Sequence, residues 1–243
     1  MENPLLSIII PAHNEQKRLP GALKQIINFL QHQTYSSEVL IVENGSQDYT
    51  LDIAQAYAKK YKQCRVFQEL NSGKGLAVRR GMLEARGEFR MMCDVDLSMP
   101  IAEVNRFLPQ NLENFDIAIA SREYPGAIRY NEPRYRHWGG RVINILIRLL
   151  ALPGIKDTQC GFKCFHASVI EDLFGKQTIN GWSFDIELLY IARQRSYRIV
   201  EVPIPWYFSS ETKLSPVRDA LQMTLDILTI RNNARRGLYT IKK

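Results

Sequence analysis

The chain has 243 residues, 45% of them apolar, which suits one large α/β domain with a sizeable core. Its 32 basic and 25 acidic residues leave a net charge of +7, pointing to an anionic partner: nucleic acid, a phosphorylated substrate or a membrane surface. Cys64, Cys93, Cys160 and Cys164 supply one C-x3-C pair and no accompanying His set, which argues against zinc and for free thiols. A strand begins almost at once with no signal peptide ahead of it. No apolar run approaches the roughly 18 residues that cross a bilayer. A cytoplasmic protein is expected, soluble or peripheral on the membrane's cytoplasmic face.

In chain order, the continuously apolar run Leu5 to Pro11 predicts a strand buried on both faces, followed by a helix from about Pro20 to Gln31. A second strand over Glu38 to Val42 ends in Glu43-Asn44-Gly45-Ser46, and a helix follows from Thr50 to Tyr61. A third strand covers Arg65 to Glu69, and Asn71-Ser-Gly-Lys-Gly75 turns into a helix ending near Arg86. The fourth strand starts at Phe89. Ile101 to Leu112 reads as helical, Asp116 to Ser121 as a fifth strand, and Arg122 to Arg141 as long and irregular. A helix over Arg141 to Leu152, a strand over Phe162 to His166 and a helix over Phe184 to Gln194 follow. Pro203 and Pro205 interrupt the extended run Ile199 to Phe208 and place it at an edge, and Arg218 to Ala234 forms a closing amphipathic helix. This β-α-β-α rhythm predicts one domain with a mostly parallel sheet flanked by helices. Its polar loops gather at the strands' carboxyl ends, where a ligand binds.

The fourth strand ends in Asp94-Val-Asp96. Residues i and i+2 of an extended chain point to one side, so both carboxylates can face one cleft. Two hard anionic oxygens with no nearby His suit Mg²⁺ or Mn²⁺, which keeps open positions for a substrate diphosphate. An isolated Asp-x-Asp is more often a polar turn. Here the pair caps a buried strand and precedes Pro100, which favours a metal site.

The first strand-to-helix loop, Pro11-Ala-His-Asn-Glu15, lacks the G-x-G-x-x-G of a dinucleotide site, and Gly73-Lys-Gly75 is not a P-loop. Those glycines can simply make a tight turn. In the functional reading, Lys74 and Arg79 face the cleft of Asp94 from a helix start that favours anions. Glu43 and Asn44 stand where a carboxylate and an amide could read a base or ribose. Few aromatics accompany Arg122, Arg129, Arg134, Arg136 and Arg141, which argues against nucleic acid. His13, His32, His137 and His166 are scattered and read as structural.

Four stretches together resemble a family 2 glycosyltransferase of the GT-A fold: Ile10-Pro-Ala-His-Asn-Glu15, Val42-Glu-Asn-Gly-Ser46 with Asp48 and Thr50, Asn71 to Gly81, and Asp94-Val-Asp-Leu-Ser98. Asp157-Thr-Gln-Cys-Gly-Phe-Lys163, Trp182 to Leu189 and Ile199 to Trp206 resemble the polyprenyl-phosphate and dolichyl-phosphate glycosyltransferases, nearest the dolichyl-phosphate β-glucosyltransferase branch. The match runs from about Leu6 to Arg218. It departs from the family in having Glu43-Asn44 for the usual Asp-Asp, and in lacking the hydrophobic segments of membrane-anchored relatives.

The resemblance implies a single GT-A domain over residues 1–243, with a nucleotide-binding half to about residue 121 and an acceptor-binding half beyond. It implies inverting, metal-dependent transfer of a sugar, glucose from UDP-glucose, to a polyprenyl phosphate. By the same resemblance Pro11, Ala12, Asn14, Glu15, Glu43, Asn44 and Lys74 line the nucleotide site, and Asp94 and Asp96 hold the metal. Arg79, Arg122, Arg129, Arg134, Gln159 and Lys213 are further substrate-binding residues. A lipid phosphate is already an anion and needs little from a base; it needs cations, which the arginine-rich loop supplies. A hydroxyl acceptor would instead require a base, for which Asp157, Asp185 and Glu187 are the candidates. A basic membrane- or nucleic-acid-binding protein on the same fold is the non-enzyme alternative. The apolar helix Val142 to Leu152, flanked by Arg134, Arg136, Arg141 and Arg148, fits a buried or an interfacial position, and an interfacial one is expected.

Overall fold

A computed structural model describes residues 3–133, 147–148, 150–209 and 216–240. Its centre is a seven-stranded sheet in the order β3-β2-β1-β4-β7-β5-β8. The strands are β1 (Leu6–Ala12), β2 (Ser37–Asn44), β3 (Cys64–Glu69), β4 (Phe89–Cys93), β5 (Ile117–Ser121), β7 (Phe162–His166) and β8 (Ile199–Pro203). β1 pairs in parallel with β2 and β4, β2 with β3, and β5 with β8, while β7 runs antiparallel between β4 and β5. β6 (Ile128–Tyr130) and β9 (Pro205–Tyr207) form a separate two-stranded parallel ribbon.

The alternation of a strand's side chains explains why β1 is apolar throughout. Leu6, Ile8 and Ile10 face one core with α1 (Leu19–Gln31), whose Leu19, Leu23, Ile26 and Leu30 lie on one stripe. Ile9 faces the opposite core, shared with Ala77, Val78 and Met82 of α3 (Lys74–Glu84) and with α5 (Phe184–Gln194). α2 (Thr50–Lys60) packs beside β3, the short α4 (Ile170–Phe174) follows β7, and α6 (Pro216–Arg235) lies against α5. β7 and β8 come from the second half of the chain, so the two halves are woven into one sheet.

Most expected elements are present within a residue or two. The helix expected over Ile101 to Leu112 is a 3-10 helix that stops at Phe107, because Pro109 holds Leu108 extended. The stretch expected to be irregular after Arg122 contains β6, and the short helices between Ala167 and Phe174 carry no long periodic signal. Most of the expected helix Val142 to Leu152 lies outside the described residues; Ile147, Ala151 and Leu152 are buried in the core.

α3 approaches the sheet closely at Gly81, where an added Cβ would overlap Ile9 Cγ2. Gly81→Ala is expected to destabilise the protein by about 1–3 kcal/mol through overpacking. The check is a lower urea midpoint at unchanged slope.

Candidate active site

Parallel pairing of β1 with β2 and β4 brings three loops to one edge: 13–18, 45–49 and 94–100. Asp94 follows the last residue of β4, with its N–H donated to Gly161 O at 3.3 Å. Its carboxylate accepts from Lys74 Nζ through both oxygens, at 2.7 and 2.9 Å. Lys74 opens α3, whose first turn is pinned by Gly75 N donating to Asn180 O at 2.9 Å. A Cβ on Gly73 or Gly75 would press on the carbonyls of residues 179 and 180, so these glycines serve close backbone approach. With Gly75 N committed, less of the helix start remains for an anion than the sequence suggested. Lys74 Nζ also lies 5.0 Å from the centre of the Trp182 ring.

Asp96 is exposed at the mouth and its Oδ1 accepts from Ser98 N at 3.0 Å. Protein atoms still crowd its carboxylate, and together with Asp94 they raise its pKa above the ordinary value against the Ser98 bond and Lys74. Burial disfavours the Lys74 ammonium, but Asp94, Asp185 and Asp96 outweigh it and leave its pKa raised. Beneath them Lys163, wholly buried on β7, sits 3.0 Å from Asp185 Oδ2 and donates to Cys160 O at 2.6 Å. Burial raises the Asp185 carboxyl, and Lys163 and Lys74 only partly oppose it. The floor is thus an alternating array of acids and ammonium groups.

Sequence reasoning assigned no role to Lys163 or Trp182. Lys163 was detectable as a cation inside the strand Phe162-Lys-Cys-Phe, where an unpaired charge is prohibitive. The exposed Trp182 carried no pattern of its own.

The residues expected around the nucleotide build the first two loops. Asn14, in the left-handed region at φ 51°, receives Gln47 N on Oδ1 at 2.9 Å and donates its own N–H to Ser46 Oγ at 3.0 Å. Glu15 accepts Arg18 through two bonds, at 2.6 and 2.5 Å, and its N–H reaches Thr50 Oγ1 at 2.7 Å. Glu43 is buried and takes Ser46 N at 2.5 Å; Asn44 O accepts from His13 Nδ1 at 2.7 Å. Pro11 and Ala12 end β1 at this edge. These side chains shape the loops that face Asp94 and Lys74. Arg79 stands five residues beyond Lys74, about 140° round the helix, so the two do not share a face as expected.

The arginine-rich loop also differs from expectation. Arg122 donates to buried Asp157 through Nε at 2.6 Å, Nη2 at 2.9 Å and its backbone N–H at 3.0 Å. Arg129 donates to Glu132 at 2.7 and 2.9 Å and to Glu123 at 2.5 Å. Both guanidinium groups lie within 6 Å of the Trp206 ring, at 5.5 and 5.8 Å. Three carboxylates, Asp157, Glu123 and Glu132, therefore pair with these two arginines. Arg134 and Lys213 lie outside the described residues. Gln159 donates its N–H to Asp157 Oδ1 at 3.3 Å.

The candidate bases are constrained as well. Burial alone would raise Asp157, but Arg122 and Lys163 bring it down to about 2. Glu187 is buried and accepts from Thr178 N, Thr178 Oγ1, Ile179 N and Tyr239 OH at 2.5 to 2.9 Å. Asp157 and Glu187 are held by these donors as structural anchors; Asp185 is buried against Lys163 through Oδ2, and its Oδ1 has no hydrogen-bond partner among the described residues.

The fold is shared with glucosyl-3-phosphoglycerate synthase from Mycobacterium tuberculosis in complex with UDP: TM-score 0.69 at 17% identity, covering 94% of this chain and 80% of that one. The complex of that enzyme with Mn²⁺, UDP and phosphoglyceric acid gives 0.68 at 17% identity over 99% and 80%. The mostly parallel seven-stranded sheet flanked by helices is the GT-A fold of these glycosyltransferases. Residues 7–174 match glycosyl transferase family 2, and the chain belongs to that family. Its relatives include the dolichyl-phosphate β-glucosyltransferases of Dictyostelium discoideum, 32% identical over all of this chain and 78% of the relative, and of Mus musculus, 34% identical over 98% and 78%. The human enzyme of that name is 32% identical over 98% of this chain and 78% of its own.

The Arg122–Asp157 pair has a predictable acid signature. Because the folded carboxyl lies below its unfolded value of about 3.9, its stabilisation is complete above that value. It is lost as pH falls through about 2. Asp157→Asn is expected to cost about 3–5 kcal/mol at pH 7 by leaving Arg122 uncompensated. The penalty should narrow in urea titrations taken from pH 7 down to 3.

Proposed function

We propose that this glycosyltransferase moves glucose from UDP-glucose to a dolichyl or polyprenyl phosphate with the help of Mg²⁺ or Mn²⁺. The observation that carries the reading is the set Asp94, Asp96 and Lys74 at the sheet's edge, combined with the commitment of two candidate bases, Asp157 to Arg122 and Glu187 to four donors. A hydroxyl acceptor must lose a proton to such a base, whereas a phosphate arrives ionised. The names of the relatives support the lipid phosphate, and the UDP and Mn²⁺ complexes of the structural neighbour support the donor.

The residues present fit a divalent ion. Asp96 is pushed up by crowding and by Asp94, and Lys74 already holds a positive charge against Asp94. Asp94 and Asp96 would hold the ion, whose role is to neutralise the diphosphate as it leaves. No third acid, His or Cys completes a metal group among the described residues, which leaves the remaining positions to diphosphate and water. Asp185 and Lys163 support Lys74 from below, and the loops built by Asn14, Glu15 and Glu43 frame the nucleotide.

The acceptor's tail calls for contact with a bilayer, and no described helix is long and apolar enough to cross one. α6 offers a peripheral surface. Its Met223, Ile227 and Ile230 are buried, while Leu221, Leu225 and Leu228 are 65%, 58% and 57% exposed on another face. Arg231, Arg235 and Arg236 follow in sequence. Each inserted leucine contributes at most about 1.5–3 kcal/mol, and each basic residue near an anionic surface about 1 kcal/mol. This sum supports reversible attachment.

Asp96→Ala should leave the fold intact, since Asp96 is exposed, and lower divalent-dependent transfer a hundredfold or more, the about 3–4 kcal/mol of a lost charge-stabilising group. Near-normal transfer would refute the metal role. A donor panel of UDP-glucose, UDP-galactose, UDP-N-acetylglucosamine and GDP-mannose against a polyprenyl phosphate, read by mass, should give product chiefly from UDP-glucose. The protein should sediment with anionic liposomes at low salt, and Leu225→Glu with Leu228→Glu should release it. Wild-type protein left wholly in the supernatant would refute the attachment.

A further inference from the structure

The Lys74–Asp94 pair has a consequence for how an ion reaches the site. Lys74 Nζ touches both oxygens of Asp94, and Asp94 Oδ2 lies so close to Gly161 that a Cβ there would overlap it. The carboxylate is therefore covered on the Gly161 side, and both of its oxygens are already held by Lys74. An ammonium and a divalent ion cannot share that carboxylate without strong repulsion at such short range. The backbone of Lys74 is fixed, through Gly75 N on Asn180 O, but its stem is flexible and can carry the charge elsewhere. A diphosphate supplies the place, as an anion that accepts a lysine's point charge.

We propose that Lys74 is a tethered cation that competes with the divalent ion for Asp94, so that the metal enters together with the nucleotide diphosphate and not ahead of it. The inference rests on the metal and nucleotide reading above and adds an order of binding to it. Ion and nucleotide are then positively coupled through one side chain, and the coupling is reciprocal. The Trp182 ring at 5.0 Å gives the ammonium a second electrostatic contact while it waits on Asp94.

The test measures Mn²⁺ binding by electron paramagnetic resonance of the free ion, with and without UDP, and needs no sugar transfer. Wild-type protein should bind Mn²⁺ weakly alone and about tenfold or more tightly with UDP, within the usual range of coupling. Lys74→Gln should bind Mn²⁺ alone about tenfold more tightly than wild type and show correspondingly less gain from UDP. Lys74→Arg, which keeps the charge, should behave as wild type, and Lys74→Met repeats the neutral arm should the glutamine variant not fold. Neutral variants that bind Mn²⁺ alone no better than wild type, while wild type still takes up Mn²⁺ with UDP, would overturn the competition and leave the donor reading standing. Wild-type protein that binds no Mn²⁺ even with UDP would overturn both.

Discussion

Two carboxylates held side by side at the end of a buried strand repel one another, and the architecture around β4 answers that repulsion. Lys74 reaches Asp94 because glycines at 73 and 75 let the start of α3 press against residues 179 and 180. Gly161 lets the Asp94 carboxylate lie flat against the backbone leading into β7. Lys163 and Asp185 extend the alternation of charge into the core, where neither could remain charged alone. The floor therefore pairs two acids, Asp94 and Asp185, with two ammonium groups, Lys74 and Lys163, and Asp96 stands at its exposed end.

The second cluster works differently. Arg122 and Arg129 flank Trp206 and are committed to Asp157, Glu123 and Glu132. Their charge is spent within the protein, so they fix the ribbon of β6 and β9 and the loop at Asp157. Tyr207 N donates to Ser98 O at 2.7 Å, which ties this ribbon to the loop carrying Asp96. A positive total charge is a property of the whole chain and does not say which cations are free to meet an anion.

The same distinction separates legible from hidden features. The strands β1, β2 and β4, the helices α1, α3 and α5 and the paired acids Asp94 and Asp96 were legible, because each depends on local periodicity or spacing. β6 was missed, since a three-residue strand has no room for a pattern and exists only through its pairing with β9. Arg79 and Lys74 looked like neighbours on paper, and helical rotation parts them. Glu187 reads in the sequence as a candidate base, and only the structure shows the four donors gathered around it.

By itself the sequence determined the class of fold and placed two carboxylates, Asp94 and Asp96, just past the end of a buried strand. Those follow from interactions between residues close in the chain. Only the tertiary structure decided which charges are committed: Lys74 to Asp94 across 20 residues, Arg122 to Asp157 across 35, and Lys163 to Asp185. An ion pair depends on distance in space, and folding sets that distance through contacts that no local pattern records.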